Sequence, residues 1–174
     1  MCKVYLGLGS NQGDRINYIQ QAIQAIEQEI GEVRKSSSYY ETEPWGFDTN
    51  ESFINQVVEV STDLSANKVL NHLLLIEKYL GRDRMPNGQA YSNRIIDIDI
   101  LFYENHQISS PNLQVPHPHM HKRNFVLQPL NEIAPNLIHP DLQIPIHGLL
   151  KNCCDNSKVK KLSVKDVFAR PINS

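Results

Sequence analysis

The chain has 174 residues, with 17 Lys+Arg against 19 Asp+Glu and 40% hydrophobic content. That length fits one domain with a core that needs no disulfide or metal staple, and a net charge of -2 gives no bulk attraction for nucleic acid or anionic membrane. No apolar run approaches the roughly 18 residues of a membrane span, the start lacks a secretory apolar stretch, and the odd set Cys2, Cys153 and Cys154 suits a reduced, cytoplasmic protein.

Residues 3–8 (KVYLGL) read as a buried strand, and residues 9–14 as a turn in which Asp14 or Asn11 caps a helix. Ile16, Ile19, Ile23, Ile26 and Ile30 step by three and four, so they share one helix face, and Gly31 supplies a C-cap. Residues 32–41 read as one strand, residues 42–50 as a Pro/Gly/Asp/Asn loop, and residues 53–61 as another strand. Ser65 starts a second helix carrying Val69, Leu70, Leu73, Ile76 and Leu80 at helical spacing, and Gly81 ends it. Residues 82–93 form a polar loop of a length that is rare in a compact domain without a function. Residues 95–103 (IIDIDILFY) are the clearest strand, and helices are expected near 123–133 and 146–151. The cluster Lys158, Lys160 and Lys161 reads as a solvated surface. The order strand-helix-strand-strand-helix-strand predicts an α+β, ferredoxin-like sandwich with a mainly antiparallel sheet and helices packed on it. One domain spans 1–174, with 151–174 as an extension of unassigned role.

Strand alternation puts Ile96, Ile98, Ile100 and Phe102 on one face, and Asp97 and Asp99 on the other with Leu101 and Tyr103. Two neighbouring carboxylates on so apolar a strand repel and lose solvation, and a cation offsets both costs. Oxygen ligands at this spacing suit Mg²⁺, which keeps waters and adds phosphate oxygens. The pair also fits one Asp bonded to an Arg and one solvated. Arg94 precedes the pair, and Arg82 and Arg84 lie in the loop before it, the guanidinium set that clamps a polyphosphate. His117, His119 and His121 alternate as zinc ligands can, but Pro116 and Pro118 break any regular strand there, so a phosphate contact is the simpler reading. The run Gly7-Leu8-Gly9-Ser10-Asn11-Gln12-Gly13 lacks the last glycine of a dinucleotide fingerprint and the Gly-Lys-Ser/Thr of a P-loop. Phe53 and Asn55 share a face, where they can stack on a flat heterocycle and read its edge, or be a core Phe beside a surface Asn.

Together these clusters resemble the 6-hydroxymethyl-7,8-dihydropterin pyrophosphokinase family of folate synthesis. The resemblance runs from about residue 4 to 149. It rests on Leu8-Gly9-Ser10-Asn11, Tyr40-x-Thr42 with Pro44, Phe53-Ile54-Asn55, Glu77 with Arg82-x-Arg84, residues 94–101, and Val115-Pro116-His117 with Arg123-x-Phe125. It implies transfer of the diphosphate of ATP to the pterin hydroxymethyl oxygen, with two Mg²⁺ ions held by Asp97 and Asp99. It further implies a catalytic set of Arg82, Arg84, Arg94, Asp97 and Asp99. The implied ATP site comprises Glu77, Arg82, Arg84, Arg94, Ile100, His117 and Arg123. The implied pterin site comprises Thr42, Pro44, Trp45, Phe53, Asn55, Asp97 and Phe125. Residues 10–14, 43–53 and 82–93 correspond to the family's three moving loops. The expected partners are the two small substrates, with no nucleic acid and no membrane; the oligomeric state stays open, with a monomer favoured. One rival is another Mg²⁺-dependent nucleotidyl- or phosphotransferase with an Asp-x-Asp pair, which leaves Phe53, Asn55 and Phe125 without a role. A second is a ferredoxin-like RNA-binding module, which an acidic sheet face opposes.

Overall fold

The computed structural model describes residues 1–42, 52–81 and 95–169. Pro44, Trp45, Arg82, Arg84 and Arg94 lie outside the described residues.

The first strand, β1 (Cys2–Ser10), continues through Gly9 and Ser10, where a turn is expected from sequence. Helix α1 (Arg15–Glu29) follows, with Asp14 as its N-cap accepting from Asn17 N at 3.2 Å. Gly31 follows the C-cap residue Ile30, and its need for glycine is one of space: a Cβ there would lie 2.0 Å from the Ser61 carbonyl oxygen. The strand expected over 32–41 is two strands, β2 (Glu32–Ser36) and β3 (Tyr40–Thr42), both paired with β4 (Phe53–Thr62). Ser37 causes the break. Its N–H donates to Val57 O at 2.9 Å, while its hydroxyl oxygen accepts from Val57 N at 3.0 Å. One residue thus takes both backbone groups of Val57 and interrupts the regular ladder.

Helix α2 (Ala66–Tyr79) is capped by Ser65 and ends at Gly81, whose φ of +100° only glycine adopts without strain. Strand β5 (Asp97–Tyr103) pairs with β1. A hairpin of β6 (Ile108–Ser109) and β7 (Gln114–Val115) follows, then the cis Val115–Pro116 peptide and a 3-10 turn at Met120–Lys122. Helices α3 (Asn124–Ile133) and α4 (Ile146–Lys151) form near where the sequence predicts them. The tail adds β8 (Val159–Lys161) and α5 (Val164–Phe168). The lysine cluster is therefore partly an edge strand, and Lys160 and Lys161 remain exposed, as edge strands favour.

The main sheet runs β5-β1-β4-β3-β8, with β2 also on β4, and its pairs are antiparallel. This is the expected α+β, ferredoxin-like arrangement: β1 and β4 sit at the centre and both crossover helices lie on one face. Ile19, Ala22 and Ile26 of α1 and Val69, Leu73 and Ile76 of α2 bury against Val4, Leu6, Leu8, Val58 and Val60. Each such aliphatic side chain contributes about 1.5–3 kcal/mol on leaving water. The opposite face also carries helices. Val126, Leu127 and Leu130 of α3 and Ile146 and Leu149 of α4 cover Tyr5, Val57, Leu101 and Phe102. The described residues include no helix long and apolar enough to cross a membrane.

The faces of β5 differ from simple alternation. The register passes from Leu6↔Ile100 to Tyr5↔Phe102, leaving Leu101 as the extra residue of a bulge. Leu101 and Phe102 therefore both pack under α3, while Tyr103 joins Ile100 on the α1/α2 side. The sequence expectation has Phe102 and Tyr103 on the reverse faces, because a one-residue bulge shifts everything after it.

Candidate active site

The register lines up the functional positions in rows across the sheet. Tyr40, Asn55, Gly9 and Asp97 are successive partners, and Val57, Gly7 and Asp99 form the next row. Paired residues of an antiparallel ladder share a face. Both carboxylates thus stand on the α3 face, each opposite a glycine. In the row beyond, Tyr5 and Phe102 are buried under α3 and α4, whereas Asp97, Asp99, Gly7 and Phe53 are half-buried. Gly9 leaves a floor without a side chain between Asp97 and the β4 wall, while Gly7 is backed by the Leu101 side chain, whose methyl carbons would lie 3.5 Å from a Cβ there. At Gly9 a Cβ would stand 2.9 Å from Asn55 Oδ1 and 3.8 Å from a Phe53 ring carbon. The sequence reading places Gly7 inside the first strand and Gly9 in the turn after it; the structure keeps both in β1.

Asn55 is buried, and its Nδ2 donates to Thr42 Oγ1 at 3.0 Å. The reading of Asn55 as a surface residue is thereby excluded. Arg15 helps fix the surrounding backbone: its guanidinium donates to Ser52 O at 2.6 Å and to Ser52 Oγ at 2.8 Å, and lies 3.6 Å from Glu41. Ser52 Oγ in turn donates to Glu41 Oε2 at 3.0 Å, which ties together the chain on either side of residues 43–51. Sequence reasoning gave Arg15 no part.

Glu77 is 2% exposed, and its Oε1 accepts the Ile98 N–H at 2.9 Å. A buried carboxylate from α2 thus grips the backbone between the two aspartates and fixes the stretch that carries them. Ile100, expected at the ATP site, buries its side chain among the α1/α2 core, so only its backbone faces a ligand.

His117 is placed by its N–H, which donates to the bulge residue Leu101 at its carbonyl, 3.1 Å away. Its Nδ1 accepts from His119 N at 3.2 Å, so in the neutral ring the proton sits on Nε2. Burial, with the nearby Arg123 and His119 charges, pushes its pKa down to about 4, against the opposite pull of Asp97. His117 is accordingly neutral at pH 7, with one N–H donor aimed away from its own turn. The three alternating histidines do not converge on one point. His117 stacks edgewise on His119, while His121 faces the buried His139 with ring centroids 6.1 Å apart. Arg123 and Phe125 begin α3, with the guanidinium carbon 5.7 Å from the ring centroid. This is a cation-π contact that holds a positive charge beside a flat apolar surface.

Among the described residues, no third His, Cys, Asp or Glu joins the aspartates in a metal-holding group. Two half-buried carboxylates beside the Gly9 floor fit a hard cation that completes its shell with water and phosphate oxygens.

The family model described as 7,8-dihydro-6-hydroxymethylpterin-pyrophosphokinase (HPPK) matches residues 5–135. The chain belongs to the HPPK family. Curated relatives agree. A 2-amino-4-hydroxy-6-hydroxymethyldihydropteridine pyrophosphokinase of Porphyromonas gingivalis is 42% identical over 146 residues, covering 83% of this chain and 99% of that protein. The Aquifex aeolicus protein of the same name is 45% identical over 147 residues, 84% of this chain and 89% of its own length. The Haemophilus influenzae HPPK is 36% identical over 161 residues, 92% of this chain and 98% of its own. That match is longer than the 151 residues before the tail, so it takes in part of the tail. A solved Plasmodium falciparum HPPK-DHPS chain superposes with a TM-score of 0.71 at 18% identity over 87% of this chain, a likeness of fold. The chain spans less than half of that larger protein, 43%. HPPK membership favours the pyrophosphokinase resemblance over both rivals, a nucleotidyltransferase and an RNA-binding module.

Proposed function

We propose that the chain transfers the diphosphate group of ATP to the hydroxymethyl oxygen of 6-hydroxymethyl-7,8-dihydropterin, giving AMP and the pterin diphosphate. The observation that carries the reading is the row Asp97, Gly9, Asn55: an acidic pair and a buried heterocycle-reading amide on one sheet face, separated by a bare glycine floor. The pterin lies over that floor between Phe53 and Phe125. Asn55 and Thr42, already bonded to each other, meet its amide-like edge, and the resemblance assigns Pro44 and Trp45 to the pterin as well. Asp97 and Asp99 would hold Mg²⁺, and when bound there it would supply neutralisation of phosphate charge and a lower pKa for the attacking hydroxyl.

In the transfer, the pterin oxygen forms a bond to the β-phosphorus and loses its proton. The bond from that phosphorus to the α,β-bridging oxygen breaks, and the bridging oxygen leaves on AMP. His117 donates its Nε2 proton as a hydrogen bond to a phosphate oxygen, and as a neutral ring it does so without surrendering it. Arg123, with Arg82, Arg84 and Arg94, steadies the phosphates as charge redistributes. Glu77 holds the outer edge of β5 at Ile98; by strand alternation Ile100 turns its backbone to that same edge, which suits recognition of adenine there. Both sides of the cleft come from this one chain, which supports action as a monomer, and its three free cysteines support a reducing, cytoplasmic setting.

Product analysis tests the reading. With MgATP and the pterin, AMP should appear in step with pterin diphosphate, and EDTA should abolish both. Pyrophosphate or ADP as the product would move the chain to another phosphotransfer class.

A further inference from the structure

The tail after α4 touches both walls of the cleft from behind. The N-cap residue of α3, Arg123, makes no side-chain capping bond. The first amide of the helix is met from the tail instead: Asn124 N donates to Asp155 Oδ2 at 2.9 Å, and Asn124 Nδ2 donates to Asp155 O at 2.7 Å. Burial works against the Asp155 charge, but hydrogen bonds from Ser157 and Asn124 outweigh it and hold the carboxyl below its ordinary pKa. Asn124 immediately precedes Phe125, so this pair of hydrogen bonds fixes the backbone from which that ring projects; Arg123 has its own anchor, its N–H donating to Met120 O at 3.2 Å.

Four residues beyond Asp155 the tail becomes β8 and pairs with β3, Val159 opposite Thr42 and Lys161 opposite Tyr40. Leu162 N donates to Tyr39 O at 2.9 Å, and the Leu162 side chain is buried in the α1/α2 core. Lys161 also lies 3.7 Å from Glu132 of α3, which accepts from Tyr40 OH at 2.6 Å. The link from residue 155 to 159 spans at most about 14 Å when fully extended. The start of α3 and the outer edge of β3 therefore cannot separate beyond that without breaking an anchor.

We infer that residues 152–163 clamp the pterin side of the cleft, and that Asp155 is a positioning residue for Phe125. The inference rests on the pterin pyrophosphokinase reading. Its test compares Asp155→Ala, Asp155→Asn and Asp166→Ala in the full chain. The last removes the capping box of α5, elsewhere in the tail. Three quantities are read: the Kd for the pterin in the presence of α,β-methylene-ATP, the Kd for that nucleotide alone, and the hydrogen exchange of the Asn124 amide.

Asp155→Ala should weaken pterin binding roughly three- to tenfold, on the scale of a lost helix cap. Nucleotide binding should change far less, and Asn124 exchange should accelerate. Asp155→Asn keeps one carbonyl oxygen for the Asn124 amide but loses the second acceptor, which takes Ser157 N at 2.9 Å, so it should restore only part of the loss; Asp166→Ala should leave pterin affinity unchanged. Faster exchange with unaltered pterin affinity in Asp155→Ala would overturn the clamp and leave a structural cap. Equal losses for both ligands would overturn it too. A wild-type chain that binds no pterin removes the functional reading and the clamp with it, whereas wild-type binding with an indifferent Asp155→Ala removes the clamp alone.

Discussion

Gly9 concentrates the residue-scale argument. Its missing side chain lets the Asn55 amide and the Asp97 carboxylate share one floor. Gly9→Ala puts a methyl within 2.9 Å of Asn55 Oδ1. We expect it to weaken pterin binding by roughly tenfold, about 1.4 kcal/mol, with nucleotide affinity unchanged in a direct titration. Asp97→Ala and Asp99→Ala remove what holds the metal against the phosphates. Each should lower kcat by orders of magnitude, about 3–5 kcal/mol of barrier, measured as AMP release at saturating substrates; near-normal turnover in both would refute their assignment. The aspartate pair and the Phe53/Asn55 pair were legible in the sequence because strand alternation is read directly from spacing. Gly7, Gly9 and Arg15 were not. What a glycine makes room for is decided by the strand beside it, and the partners of Arg15 lie far along the chain.

At the scale of elements, α3 brings Arg123 and Phe125 to the site with its first turn and covers the sheet with the rest. Truncating Phe125 removes one stacking surface and leaves the packing of Val126, Leu127 and Leu130 in place. Phe125→Ala should therefore cost about 1–3 kcal/mol of pterin affinity with little effect on the nucleotide; calorimetry on each ligand separates the two, and equal losses would refute stacking. Helix periodicity revealed α1, α2 and α3, since their apolar spacing is local. The split of β2 from β3 escaped because it depends on Ser37 meeting Val57, twenty residues away. The bulge in β5 escaped because nothing in IIDIDILFY marks Leu101 as extra. The tail strand escaped because Val159–Lys161 is short and charged, and it gains its partners only on an edge already folded.

For the molecule as a whole, the histidines set an acid limit. His117, His121 and His139 all have pKa values lowered by burial, His117 to about 4; Lys122 and His119 add to the effect at His121, and His121 adds to it at His139, where Asp141 pulls the other way. In the unfolded chain such rings titrate near 6.5. The unfolded state thus binds more protons below that pH, so this stability is fully present above about 6.5 and is lost as pH falls toward 4. Denaturant unfolding should show a ligand-free protein less stable at pH 4.5 than at pH 7, with His117 alone contributing on the order of 1–2 kcal/mol after allowance for its partial solvation. His139 is 3% exposed and accepts two backbone amides at Nδ1, so its replacement by Asn should flatten part of that slope. A slope untouched by replacing any of the three would assign the acid limit to carboxylates instead.

The bulge at Leu101 also bears on how the gene can change length. Before it, β5 keeps Asp97 and Asp99 on the α3 face; after it, the frame is offset by one, so that Phe102 meets α3 and Tyr103 the opposite core. Deleting Leu101 would restore a continuous zigzag with Phe102 and Tyr103 still on their present faces, but would remove the carbonyl that anchors His117. Inserting a single residue between Asp99 and Leu101 would strand the His117 anchor one step too far from the carboxylates. Homologous chains should therefore tolerate loss of the bulge residue better than a single-residue insertion between Asp99 and Leu101.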